Sequence, residues 1–159
     1  MTTPLAAPPI LPAATLPRLL ASMGGVGFLR PAPGTWGSAL ILPAGLLGPE
    51  FCLALAALLA LLGWWAVERV ADRHLDPSWI VIDEGAGQSL ALAGMATAGD
   101  MTGLVLAFLL FRLFDITKPG PVGWADRRKG TAGVMLDDLF AGGLAASIIM
   151  ALHAMELMP

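Results

Sequence analysis

An all-α membrane bundle of about four to five transmembrane or half-spanning helices is the fold the sequence predicts. Three observations predict it. The 159-residue chain is 57% hydrophobic, above the roughly 45–50% of a soluble domain. Only 13% of its residues are charged, about half the usual share. Those charges are segregated: the runs 31–49, 51–67, 85–99, 101–111 and 139–155 contain no Asp, Glu, Lys or Arg. A mean hydropathy of +0.76 excludes intrinsic disorder, which needs low hydrophobicity and high charge. A small soluble domain also has too little interior for so many apolar side chains.

The elements follow in chain order. Residues 1–17 carry no Lys, Arg or His and are rich in Pro and Ala, so they read as a loose cytoplasmic tail and not a signal peptide. Residues 18–159 read as one membrane-embedded domain. Arg18 to Ser22 is a short interfacial helix. Thr35 to Leu47 is a short helix with Thr35 as a plausible N-cap and Pro43 as a kink. Phe51 to Val67 is long enough to span. Asp76-Pro77 reads as a helix start, giving a helix from Pro77 to about Ala98, and Ala98-Gly99-Asp100 then turns the chain. A helix from about Thr102 to Lys118 is stopped by Pro119. Leu139 to Met155 is the last span. Gly85-Ala86-Gly87 and Gly142-Gly143 mark close helix–helix packing.

If all five segments cross from a cytoplasmic N-terminus, the outside holds Glu50, Asp100 and Glu156. The inside holds Arg18, Arg30, Arg69, Arg73, Arg112, Lys118, Arg127, Arg128 and Lys129, which is every basic residue in the chain. The positive-inside rule favours that orientation. No long basic stripe of the kind that binds nucleic acid is present. The single cysteine, Cys52, offers neither a disulfide nor a metal pair.

Four constellations carry polar chemistry. Asp83, Glu84 and Gln88 lie where carboxylates at a membrane edge are costly; the plainer alternative is an interfacial pair held by Arg69 or Arg73. Arg112, Asp115 and Lys118 are spaced three apart on one helix face; alone they equally suit a helix end with an ion pair and a snorkelling lysine. Asp126, Arg127, Arg128 and Lys129 precede Asp137-Asp138, of which Asp137 also suits a helix cap. Gly24-Gly25-Val26-Gly27 and Pro33-Gly34-Thr35-Trp36-Gly37-Ser38 supply a Gly-rich turn and a helix start that attract phosphate, or simply a capped turn. Together the carboxylates form a hard-oxygen donor set suited to Mg²⁺. With Arg112, Lys118, Arg127 and Arg128 as clamps for phosphate oxygens, they point to phosphoryl chemistry.

Other phosphatase designs do not fit. Cys52 lacks the Cys-x5-Arg spacing, no Asp-x-Asp nucleophile occurs, and the signature of CDP-alcohol phosphatidyltransferases is missing. His74 and His153 fall on opposite sides of the membrane in the topology above. Ser38, Ser78, Ser89 and Ser147 have no base nearby in sequence.

The four stretches in their order resemble the phosphatidylglycerophosphatase A family. They are Gly27-Phe28-Leu29 with Pro33 to Ser38; Asp76-Pro77 with Ile80 to Glu84 and Gly87-Gln88; Phe111 to Ile116 with Lys118-Pro119; and Asp126-Arg127 with Gly133 to Asp138 and Ala141-Gly142. They cover about residues 24–145. Two departures, Gly120 before Pro121 and the small Gly85-Ala86 after Glu84, touch packing or lipid contact more than the chemistry. The resemblance implies an all-helical, Mg²⁺-dependent membrane phosphatase. Its reaction removes the terminal phosphate of phosphatidylglycerophosphate, giving phosphatidylglycerol in the bacterial inner membrane, with the site facing the cytoplasm.

On this reading Asp83, Glu84, Asp137 and Asp138 hold Mg²⁺, and Asp115 is a ligand or base. Lys118, Arg112 and Arg127 stabilise transferring charge, while Thr35 and the Gly34–Ser38 turn hold the head group. The rivals are a non-enzymatic transport or scaffold subunit, and a phosphatase of another phospholipid or of a polyprenyl phosphate.

Overall fold

The computed structural model describes residues 15–70 and 77–157. The expected tail over residues 1–14, Asp76 as a cap, and Arg73 and His74 lie outside them. The described residues form α1 (Leu16–Ala21), α2 (Pro33–Ile41), α3 (Pro49–Val70), α4 (Ile82–Leu92), α5 (Met101–Thr117), α6 (Pro121–Asp126) and α7 (Thr131–Ala154), with 3-10 turns at Val26–Phe28 and Leu42–Leu47. No strand occurs among them.

Local chemistry sets most helix ends. Proline occupies the first turn of α1, α2 and α6, where its missing N–H is no loss. Asp100 caps α5 by accepting from the Gly103 N–H at 2.8 Å. At the other end Lys118 adopts a left-handed conformation at φ 50°, and Pro119 follows.

Several boundaries differ from the sequence expectation. The helix expected from Pro77 starts only at Ile82, because the preceding segment has other partners: Val81 N–H donates to Ala21 O at 2.9 Å, and Ile80 N–H to Pro77 O. Thr35 is the third residue of α2, and the cap position is Ala32. The helix expected through Pro43 ends at Ile41 and continues as a 3-10 turn. The last helix begins at Thr131 instead of Leu139, so Asp137 and Asp138 lie well inside it and Asp137 is not a cap.

The short helix α4 is the centre of the bundle. Nearly all of it is buried, including Ile82, Ala86, Gln88, Ser89 and Leu92, and it packs against α2, α3, α5 and α7. Small residues permit this enclosure. A Cβ on Gly142 would lie 2.2 Å from the carbonyl oxygen of Gly87, and one on Gly94 would lie 2.6 Å from Ala146 Cα. Thus α4 and α7 meet backbone to backbone, as small residues allow in membrane bundles. The main core joins Leu92, Met95, Ala107, Phe111, Ala145 and Ile149. A second cluster joins Ala21, Val67, Ile82 and Met135.

Outward faces are apolar. Leu61, Leu109 and Ile116 are among the most exposed side chains, an arrangement suited to lipid and costly in water. On length and composition α3, with 22 residues, and α7, with 24, are able to cross a membrane. The shorter α5 has 17 residues and α4 only 11. The expected count of four to five segments therefore reduces to two helices with full spanning length among the described residues.

The end of the bundle remote from Asp138 has its own polar clasp. Asp100 Oδ2 lies 3.1 Å from His153 Nε2, and both side chains are largely buried. Replacing Asp100 with Ala removes the α5 cap and the His153 partner together, so thermal unfolding in detergent should show a loss of about 1 kcal/mol or more. Activity should survive, because the clasp is about 22 Å from Asp138 along α7 at 1.5 Å per residue.

Candidate active site

Asp83 and Glu84 sit in the first turn of α4, held there by the buried Val81 and Ile82. Asp138 faces them from the interior of α7. Its approach depends on Gly87, where a Cβ would lie 2.5 Å from the Asp138 carbonyl oxygen. Asp83, Glu84 and Asp138 each offer an oxygen, and these oxygens lie within 4.8 Å of one another. Three negative charges at that separation repel strongly unless a cation or a proton lies among them.

The donor set fits a hard divalent cation. It is all carboxylate, the ligand type that suits Mg²⁺. Glu84 Oε2 and Asp138 Oδ1 are buried and have no hydrogen-bond partner among the described residues. Buried polar atoms ordinarily have one, so these two oxygens are the ones open to a ligand. Gln88, one turn along α4 from Glu84, is fully buried, and its amide nitrogen and oxygen are likewise unpartnered among the described residues.

A cationic row borders the acidic triple. Arg112 Nη1 pairs with Asp115 Oδ2 at 2.6 Å. Lys118 Nζ lies 3.3 Å from Asp115 Oδ1 and 3.4 Å from Asp126 Oδ1, and it hydrogen-bonds Asp137 Oδ2. Burial works against the Lys118 ammonium, but the hydrogen bond and charge of Asp137, with Asp138 and Asp115, outweigh it and hold its pKa above the usual lysine value. The left-handed backbone at Lys118 turns the chain into α6, and α6 returns Asp126 to the same ammonium. Asp137 is therefore occupied by Lys118 and, through Oδ1, by the Asp138 N–H at 2.9 Å. It stands beside the acidic triple and is not one of the three.

The remaining expected site residues divide. Thr35 is half-buried in the first turn of α2. Ser38 is fully buried and its hydroxyl donates to Gly34 O at 2.8 Å, which commits its proton within the helix. Arg127 is exposed at the end of α6, close to Gly123. Arg128 is turned away onto Trp124, 3.8 Å from the ring centroid. Arg69, an alternative partner for the carboxylates, stacks on Trp65 and donates to its carbonyl.

Gly34, Gln88 and Asp126 complete the surroundings; the sequence placed Gly34 in the head-group turn and Gln88 and Asp126 among the polar constellations, without assigning any of them these contacts. The signal for Gly34 is its place next to Pro33 at a helix start. A Cβ at Gly34 would lie 2.2 Å from Glu84 Oε1 and 3.3 Å from Arg112 Nη1. Glu84 is flexible at its tip, so Gly34→Ala should fold normally while displacing the carboxylate. Activity should fall about 10–100-fold, the range for groups that orient a ligand, as measured by phosphate release alongside an unchanged melting curve.

A family model described as phosphatidylglycerophosphatase A matches residues 19–153. A phosphatidylglycerophosphatase A of Haemophilus influenzae is 36% identical over 143 residues, covering 85% of this chain and 87% of the relative. The chain belongs to the phosphatidylglycerophosphatase A family. An Escherichia coli K12 protein of the same name is 33% identical, over 82% of this chain and 80% of the relative. A putative phosphatidylinositol-3-phosphatase of Bacteroides thetaiotaomicron is 36% identical, over 80% of this chain and 87% of the relative. No solved structure matches the chain. Membership of the phosphatidylglycerophosphatase A family makes the protein an enzyme, a phosphatase, and sets aside the transport and scaffold readings.

Proposed function

We propose that the protein hydrolyses the terminal phosphate of phosphatidylglycerophosphate, giving phosphatidylglycerol and inorganic phosphate at the cytoplasmic face of a bacterial inner membrane. The observation that carries this reading is the buried triple Asp83, Glu84 and Asp138 beside the Arg112–Asp115–Lys118 row. A phosphate monoester needs its charge neutralised while its phosphoryl group passes to water, and both parts are present. The names of two relatives support the substrate. The orientation rests on the charge asymmetry, since Arg112, Lys118 and Arg127 lie at the end of the bundle that holds the triple.

Asp83, Glu84 and Asp138 are the residues that would hold Mg²⁺. When bound, that ion supplies charge neutralisation of phosphate oxygens and acidification of a water. The protein's own groups do the rest. Lys118 and Arg112 offer donors to the non-bridging phosphate oxygens. Asp115 fixes both cations, as the ion-pair partner of Arg112 and the acceptor for Lys118, and Asp137 holds Lys118 from the other side, so both act as positioning residues. Arg127, on the exposed rim, meets the outer part of the anionic head group. Thr35, in the turn above Glu84, contacts the glycerol. In the overall step the bond between phosphorus and the lipid glycerol oxygen breaks, water oxygen bonds to phosphorus, and the leaving oxygen takes a proton.

A second reading, hydrolysis of another phosphorylated glycerolipid, is favoured by the name of the Bacteroides thetaiotaomicron relative. Competition in mixed micelles separates the two. Phosphate release from phosphatidylglycerophosphate should be little affected by equal amounts of phosphatidylinositol 3-phosphate, phosphatidic acid or a polyprenyl phosphate. Faster release from any of these lipids would transfer the assignment to it.

A further inference from the structure

The sequence contains five tryptophans and no tyrosine, and all five indoles lie at the end of the bundle that carries the acidic triple. Trp79 packs its backbone on Gly27 and leads directly into Ile80-Val81-Ile82-Asp83. Trp36 lies between Gly34, which faces Glu84, and Gly37, which faces Val81. Trp64 and Trp65 follow Gly63, which faces Met135 and Ile82. Trp124 packs edge-on against Phe140, with centroids 6.1 Å apart, just past Asp138 on α7. Trp36, Trp64, Trp65 and Trp124 are exposed.

Three of these indoles carry a guanidinium. Arg69 lies 4.3 Å from the Trp65 centroid and Arg128 lies 3.8 Å from that of Trp124. Arg18 lies 5.2 Å from Trp79 and 5.3 Å from Phe28, two rings that stack on each other. The opposite end has no such pair. Residues 42–55, 93–104 and 148–157 contain neither Trp nor Lys or Arg, and their charged groups are Glu50, Asp100 and Glu156.

An indole with an arginine on its face has an apolar body, an N–H donor and a delocalised cation. That combination suits the layer where acyl chains give way to phosphates. In water these exposed rings would be a liability; inside the hydrocarbon the guanidiniums would be costly. We propose that the Trp–Arg girdle of Trp36, Trp64, Trp65, Trp79 and Trp124 seats in the head-group layer of one leaflet. There its cations bind anionic phospholipid, and the girdle holds Asp83, Glu84 and Asp138 at the depth of the lipid phosphates. The occupant is the phospholipid head group, because the surface is cationic and continuous with the apolar outer faces of α3 and α7. The proposal rests on the membrane reading and not on the catalytic one.

The test uses the full chain in vesicles of phosphatidylcholine with phosphatidylglycerol. Without tyrosine, its fluorescence reports these five side chains. Lipids brominated near the carbonyl end of the acyl chain should quench more emission than lipids brominated near the chain terminus. Anionic vesicles should also show the stronger quenching relative to pure phosphatidylcholine. Stronger quenching by the deep bromine would overturn the proposal. So would quenching by aqueous acrylamide with none from either lipid, which places the girdle in water, or protection from all three quenchers, which places it under a second copy of the chain. Phosphatase activity is read separately, so an inactive protein with a shallow girdle would count against the catalytic reading alone.

Discussion

Asp138→Asn should abolish phosphate release while leaving the protein folded and helical. The substitution keeps the shape of the side chain and removes the negative charge from the most enclosed carboxylate of the triple, 3% exposed. A group that only orients another ligand costs about 10–100-fold when removed; a group that itself holds the cation should cost more than about a hundred-fold on the same scale. Asp137→Asn supplies the internal comparison. Its carboxylate holds Lys118, so its loss should fall within the smaller range and should raise KM for the anionic substrate. Steady-state kinetics on both variants, with circular dichroism as the folding control, check the difference. Equal losses at the two adjacent positions would remove the distinction between a residue of the triple and one that positions a cation.

Gly142→Val should unfold the bundle. Its Cβ would lie 2.2 Å from Gly87 O and 2.9 Å from the carbonyl carbon. Neither is the tip of a movable side chain, so α4 and α7 must separate. The displaced segment carries Asp83, Glu84 and Asp138, and activity should disappear with stability. The cost should be about 3 kcal/mol or more, at or beyond the upper end for overpacking, measured as a drop in the detergent melting temperature. Gly143→Ala, next in sequence, is the control: its Cβ would meet only Leu90 Cδ2 at 3.9 Å and should be tolerated.

These two residues also show what was legible before the structure. The Gly85–Gly87 and Gly142–Gly143 stretches announce close packing from composition alone, because small residues in apolar helices have few other uses. The α5 boundaries were legible to within a residue at each end, since Asp100 and Pro119 are local signals. The start of α7 was not. Reading Asp137 and Asp138 as the limit of an apolar run assumes that charge ends a span, whereas here Asp138 faces α4, Asp137 faces Lys118, and the helix reaches back past both to Thr131. The same assumption in reverse lengthened α4. Asp76-Pro77 is a fair helix signal, but the segment before Asp83 bonds to α1 instead, a tertiary contact with no trace in local sequence.

The site was legible as a set of residue types and not as an arrangement. The acidic residues and the cations were nameable because charge is rare in this chain. Their grouping was not: Asp137 and Asp138 are adjacent, and only the helical turn decides that one faces Glu84 while the other faces Lys118. Asp126 joins the site because the six-residue helix α6 folds it back, and so short an element leaves no periodicity to read. The bond of the Ser38 hydroxyl to Gly34 O was not legible for a related reason, since a hydroxyl inside a helix is free to bond back to the preceding turn or outward.

On the proposed reading a carboxylate-bound cation and a cationic row together remove the phosphate of a membrane lipid. The most direct test of that reading is phosphate release from phosphatidylglycerophosphate by the purified protein in detergent, first with Mg²⁺, then with EDTA, then with Mg²⁺ restored. Release that stops with the chelator and returns with the metal is the predicted result. Release that continues undiminished in EDTA, or no release from a protein shown to be folded, would contradict it.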